Sequence, residues 1–203
     1  MKILKPVLLA TVFSLSAGLA SAATIGVPSG VYKNDEHHTN VLWSVTHFGL
    51  SNYYGRFDKV NITLDLNSDD VQKSKVSATI DPKSVDTNFP GTPNTFNGEI
   101  AGSKFFDADK FNTITFKSTD IKLTGDKTGE MTGDLTFHGV TKPVTLKVTF
   151  NAALNPSPMT KKPAVGFSAT GSIKRTDFGV GALAGPVSDD VQLTIEAEFA
   201  PAK

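Results

Sequence analysis

The sequence predicts an all-β, antiparallel domain, and three observations carry that prediction. Apolar residues recur with a period of two along most of the chain, which writes one apolar and one wet face on each strand. Clusters of Asn, Asp, Ser, Gly and Thr interrupt the alternation at strand-length intervals. With 203 residues and no Cys, the chain is long enough to bury one sizeable core without disulfide or thiolate-metal staples. Buried parallel strands would instead read as continuous apolar runs.

The first segment falls outside this pattern. Lys2 and Lys5 precede an apolar stretch from Pro6 to Leu19, and Ala20-Ser21-Ala22 supplies the small-x-small pattern of a signal-peptidase site. The stretch is too short and too interrupted by Thr11, Ser14, Ser16 and Gly18 to span a bilayer. We expect residues 1–22 to be a signal peptide cleaved before Ala23, with 23–203 forming one domain exported to the periplasm. Without Cys there is no lipoprotein anchor, so membrane contact should be transient. The 20 basic and 20 acidic side chains balance over the whole chain, but the leader carries away two lysines. The mature chain is left at a net charge of −2, which argues against a nucleic-acid partner.

Eight or nine strands follow, at about 30–35, 39–48, 53–66, 73–81, 112–124, 130–138, 142–153, 163–175 and 190–199. Val41, Trp43, Val45 and His47 alternate with Leu42, Ser44, Thr46 and Phe48; Val144, Leu146, Val148 and Phe150 alternate with Thr145, Lys147 and Thr149; and Val191, Leu193, Ile195, Ala197 and Phe199 alternate with Gln192, Thr194, Glu196 and Glu198. Asn67–Asp70, Thr124–Gly129 and His138–Thr141 are the turns between them. So many strands in one domain require a sandwich or a closed barrel, and closure removes exposed edges. Residues 92–106 break the period: Thr92 can cap, Pro93 suits a first helical turn, and Phe96 and Ile100 share a face. A short helix at about 92–104 is expected to cover an end of the domain, either as a simple connection or as a lid over a ligand.

Chemistry-bearing motifs are scarce. Gly166-Phe167-Ser168-Ala169-Thr170 lacks the second glycine of a nucleophile elbow, and Gly179–Gly185 lacks both the spacing and the βαβ setting of a dinucleotide loop. His37, His38, His47 and His138 are not spaced as a metal set, so neither metal nor cofactor is expected. Arg175 and Asp177 could form an acid–base pair and, with a histidine, an enzyme acting on a small amphiphile. A structural ion pair or turn contact is the plainer reading, and His47 reads as a core histidine with a polar contact near a pocket mouth as the alternative. What remains is an apolar inward face of Trp43, Val45, Phe57, Ile114, Phe116, Leu135, Phe137, Leu146, Val148 and Phe167. An eight-stranded barrel can fill with such side chains or hold one small ligand, and the residues alone favour a filled core.

A series of spaced motifs resembles the YceI-like family of exported polyisoprenoid-binding proteins. These are Asp35-x-x-His38-Thr39-x-Val41-x-Trp43-x-Val45-x-His47, Tyr54-Gly55-Arg56-Phe57, Ser84-Val85-Asp86-Thr87, Phe105-Phe106-Asp107 and Ile114-Thr115-Phe116-x-Ser118. They continue through Gly133–Val144, Arg175-x-Asp177-Phe178-Gly179 and Val187–Val191, so the resemblance spans about Gly30–Phe199. It implies a single antiparallel eight-stranded lipocalin-like barrel holding a polyisoprenoid or similar long-chain amphiphile, an isoprenoid quinone-like lipid included. The ten inward residues above would line its tunnel, with His47 and Arg175 as mouth or head-group contacts and with a homodimer as one assembly. A filled-core stress or structural barrel acting through a protein partner is the other non-enzymatic reading. One departure stands out: where many members carry Asp-x-His-Leu before the Phe-Phe-Asp run, this chain has Asn97-Gly98-Glu99-Ile100, which changes the polar groups offered to a head group and could loosen the helix.

Overall fold

The computed structural model describes residues 25–91 and 95–202. The expected leader and cleavage site, and the capping roles of Thr92 and Pro93, lie outside the described residues.

Ten strands form one antiparallel sheet that closes on itself. In chain order they are β1 (Gly30–His47), β2 (Ser51–Phe57), β3 (Val60–Leu66), β4 (Lys75–Ile80), β5 (Val85–Asp86), β6 (Ile114–Leu123), β7 (Thr128–Phe137), β8 (Val140–Leu154), β9 (Ala164–Lys174) and β10 (Asp190–Pro201). Pairing runs β10-β9-β8-β7-β6-β4-β3-β1, and β1 returns to β10 from Tyr32↔Pro201 to Ser44↔Gln192. β2 and β3 lie on the same edge of β1, opposite Val41–His47 and Gly30–Lys33 respectively, so they are one strand bent at Asp58–Lys59. β4 and β5 are likewise one strand, pairing with β3 and β2 on either side of a short 3₁₀ turn at Pro82–Ser84. Counted this way, the wall is a closed eight-stranded barrel with one helix, α1 (Thr95–Ala101).

The first two expected strands are a single long one. Their apparent boundary is a bulge: β1 loses register against β10 between Asn34 and Thr39. The residues themselves explain it. Asp35 accepts from the His37 N–H at 2.9 Å and pairs with His38 Nδ1 at 3.0 Å, while Asn34 Oδ1 accepts from Ile62 N–H at 2.7 Å and ties the bulge to β3. These short polar side chains offer local partners that compete with the ladder.

Beyond Ile80 and Ile114, where β4 and β6 stop pairing, the wall is no longer sheet on both sides. β5 pairs only with β2, and α1 packs beside it. Asn97 Oδ1 accepts from the Thr87 N–H at 3.0 Å and the Thr87 hydroxyl at 2.6 Å, so the residue that departs from the family pattern anchors the helix. Gly102 N–H and Ala108 N–H then donate to Glu99 and Ala101 carbonyls and finish the helix in a tight turn.

Candidate functional site

The barrel encloses a cavity of about 790 Å³. It runs from His47 and Leu183 at the end covered by α1 (the helix end) to Leu123 and Thr128 at the β6–β7 turn (the far end). That size falls within the range of small-molecule sites, and it replaces the filled core that the residues alone favoured.

The period-two alternation is what builds the wall. Trp43, Val45, Phe57, Ile114, Phe116, Leu135, Phe137, Leu146, Val148 and Phe167 all line the cavity. Ile114 and Leu146 are buried, whereas the other eight are only half-buried although they point inward. Their remaining exposed area faces the cavity. Two glycines shape the wall. A side chain at Gly55, opposite Trp43 on β2, would overlap the indole, and one at Gly133 on β7 would overlap both the Phe116 ring and the Lys117 carbonyl.

Other lining residues come from outside the alternating strands. Phe106 is the chief one: its ring lies 6.3 Å from Trp43, 5.8 Å from Phe57 and 5.5 Å from Phe137, centroid to centroid. It wedges between three wall residues and narrows the helix end. Phe96 of α1 meets Tyr53 of β2 edge to face at 5.9 Å, and Ile100 is buried against the same space. Phe106 carried a signal, since it sits in the Phe105-Phe106-Asp107 run, but helix and turn positions have no period-two phase that points inward. Tyr53 shares the parity of Gly55 and Phe57 and was legible by that count.

Polar groups are few and sit mostly at the ends. His47 is exposed at the end of β1, with its ring edge-on to Phe48 at 4.7 Å; this corrects the core-histidine reading. The strand ends there and hands over to a turn, which leaves the ring at the rim of the cavity. Arg175 is buried, and its Nε, Nη1 and Nη2 donate to the carbonyls of Ser188, Val180, Ala182 and Val187. Four of its five N–H groups therefore clamp the 180–188 loop across the helix end. That loop is also bridged to β1 by Ser188 N–H to the Thr46 carbonyl at 2.9 Å and Phe48 N–H to the Pro186 carbonyl at 2.6 Å.

Asp177 does not pair with Arg175. Its nearest cation is Lys142 at 3.9 Å, and both of those side chains are exposed. The same turn is held by Asp189, which accepts from the Thr176 N–H at 3.0 Å and hydroxyl at 2.9 Å. Those two bonds, the backbone one first, hold its carboxyl below the ordinary range. His138 Nδ1 lies 3.0 Å from the Phe178 carbonyl, and His38 is engaged by Asp35, which raises the imidazole pKa. Among the described residues no three His, Asp or Glu side chains converge as a metal site would require.

A family model for the YceI-like domain matches residues 32–199. The chain belongs to the YceI-like family. This YceI-like protein is 35% identical over 190 residues to a UPF0312 protein of Pseudomonas fluorescens, covering 93% of this chain and 95% of the relative. Among solved structures it resembles BcnA of Burkholderia cenocepacia, with a TM-score of 0.72 and 24% identity over 81% of this chain and 98% of that one. It also resembles a domain of Saccharophagus degradans described as polyisoprenoid binding and implicated in plant cell wall breakdown. There the TM-score is 0.61 and the identity 14%, over 84% of this chain and 98% of that domain. Both likenesses are of fold, and the fold they share is the closed barrel.

Proposed function

We propose that this YceI-like protein is a periplasmic carrier that holds a polyisoprenoid or similar long-chain amphiphile inside its barrel. The observation that carries the reading is the cavity of about 790 Å³, walled almost wholly by Trp43, Phe57, Phe116, Phe137 and their aliphatic neighbours. A flexible apolar chain gains about 25 cal/mol for each Å² it buries, so such a wall binds it without needing many polar contacts. The family membership supports the same reading, as does the description of the Saccharophagus domain. The leader-like first 22 residues support export.

Exposed apolar side chains cluster at the helix end, where Phe48, Leu50 and Leu183 stand on the two loops joined by the Phe48–Pro186 hydrogen bond. They would dip into a bilayer surface during brief contacts that load or unload the lipid. Placing a carboxylate in the middle of the wall tests the assignment. Phe137→Asp should leave secretion and the barrel's circular dichroism intact while removing the lipid that organic extraction and mass spectrometry recover from the gently purified wild type. Equal lipid recovery from both proteins would sink the assignment.

A further inference from the structure

The turn between β1 and β2 carries a side chain that its backbone does not favour. Phe48 and Gly49 are both left-handed, with φ of 52° and 68°, and the Leu50 N–H donates to the His47 carbonyl at 2.9 Å. A turn with two left-handed central residues is best served by Asn-Gly or Asp-Gly. A bulky side chain at such a φ is an outlier. Among the described residues, six other than glycine have a left-handed φ, and four of them are polar: Asn88, Asp107, His138 and Lys161. The remaining two, Phe48 and Leu183, are large and apolar. Both stand in the loops of the helix end, 62% and 48% exposed, with Leu50 at 85% beside them. Neither turn geometry nor solubility favours these side chains, so their position has another cause.

The chain around them is free of acidic and strongly basic groups. No Asp, Glu, Lys or Arg occurs in 39–55 or in 178–188, whereas Arg56, Asp177 and Asp189 follow at once beyond. The backbone of the second stretch is also prepared to leave water. Arg175 takes the carbonyls of Val180, Ala182, Val187 and Ser188. The Val187 and Phe48 N–H groups take those of Leu183 at 3.0 Å and Pro186 at 2.6 Å. Carbonyls satisfied within the protein are what an apolar phase demands, because hydrocarbon offers them no hydrogen bond.

We propose that the 48–50 and 181–186 turns form a tip that inserts into the surface of a lipid bilayer, with Phe48, Leu50 and Leu183 entering its apolar boundary. The partner is a neutral, zwitterionic phospholipid surface, since the tip has no Lys or Arg to draw it to anionic lipid. Leu183 lines the cavity as well as standing exposed, so insertion brings the cavity mouth to the hydrocarbon itself. The tip rests on the carrier reading. It gives the loading step a surface and an orientation, and it gives Arg175 the task of readying the loop rather than holding a head group.

Flotation of the mature protein with phosphatidylcholine vesicles tests this. The wild type should float with them, and replacing part of the lipid by phosphatidylglycerol should change little. Leu50→Ser, at a residue that does not line the cavity, should weaken binding roughly tenfold. Phe48→Asn should weaken it comparably while raising the midpoint of urea unfolding, because Asn suits the turn. Binding that needed phosphatidylglycerol and vanished at high salt would overturn insertion in favour of charge. A lower urea midpoint for Phe48→Asn with unchanged flotation would make the ring part of the fold and sink the tip. Variants that altered sedimentation of the free protein but not flotation would assign the surface to a second copy instead. The carrier reading fails separately: a wild type that yields lipid but does not float loses only the tip, and one that floats but yields no lipid loses the carrier.

Discussion

The two sides of this barrel are built differently. From β7 to β10 the wall is made of sequence neighbours paired over long ladders: ten consecutive pairs join β7 to β8, from Thr128↔Thr149 to Phe137↔Val140, ten join β9 to β10, and β8 pairs with β9 from Lys147↔Thr170 to Leu154↔Ala164 with one bulge between Phe150 and Ala152. On the opposite side, β2/β3 bends at Asp58–Lys59, β4/β5 bends at Pro82–Ser84, and above Ile114 the place of a strand is taken by α1 and the turn that follows. The regular side satisfies its backbone groups through the ladder and gives the cavity a fixed surface. The broken side leaves a gap in the sheet that side chains close instead, through Phe96, Ile100 and Phe106.

The sharpest way to break this contrast is to disturb a ladder of the regular side. Gly133→Val would drive a side chain into the Phe116 ring and the Lys117 carbonyl, and a backbone carbonyl in a sheet has little room to yield. We expect a loss of about 3 kcal/mol or failure to fold, read by urea unfolding of secreted protein. A change on the broken side should act on exchange more than on stability. Phe106→Ala removes a half-buried wedge, so about 1–2 kcal/mol of stability should go while lipid release, followed by transfer to acceptor vesicles, speeds several-fold. Loss of cooperative unfolding in that variant would mean that the wedge belongs to the core.

The smallest effect concerns charge beside α1. The Asp86 carboxyl is held below the ordinary range, first by the Asn88 N–H at 2.9 Å and further by Arg56, whose Nη2 lies 3.1 Å away. A depressed carboxyl pKa contributes stability above the unfolded value and loses it as pH falls through the folded one. Lowering pH from about 5 to about 3 should therefore quicken amide exchange in β5 and α1 relative to the β7–β8 amides, since an unperturbed Asp titrates near 3.9. Parallel changes on both walls would show that the acid-sensitive contact is not local to the broken side.

Legibility follows this division only in part, since the strands expected at 73–81 and 112–124 match β4 and β6 to within two residues as well. The strands expected at 130–138, 142–153, 163–175 and 190–199 match β7 to β10 to within two residues at each end, because hairpin neighbours keep their alternation and their turns. On the broken side, residues 53–66 read as one strand because Phe57 and Val60 both continue an apolar series, and the bend at Asp58–Lys59 removes no hydrophobic residue. β5, two residues long, is too short to show any period. The bulge at Asp35–His38 divided β1 on paper because its polar residues break the alternation, although the chain stays on the same edge of β10. At the site, the alternating residues were placed on the cavity wall by parity alone. Phe96 and Phe106 were not, since the direction of a helix or turn side chain depends on how the segment docks. Nor could spacing show that Arg175 spends its donors on loop carbonyls.

One further consequence lies in the seam between β1 and β10, where Tyr32 pairs with Pro201. This ladder joins the two ends of the described fold, so it demands the largest loop closure in the chain, and such non-local pairings form slowly. Until it zips, the sheet is open and its apolar face is unroofed. The compartment therefore exists only in the closed barrel, and any ligand held there favours that state over every unzipped one. Occupancy and folding of this barrel are a single thermodynamic question.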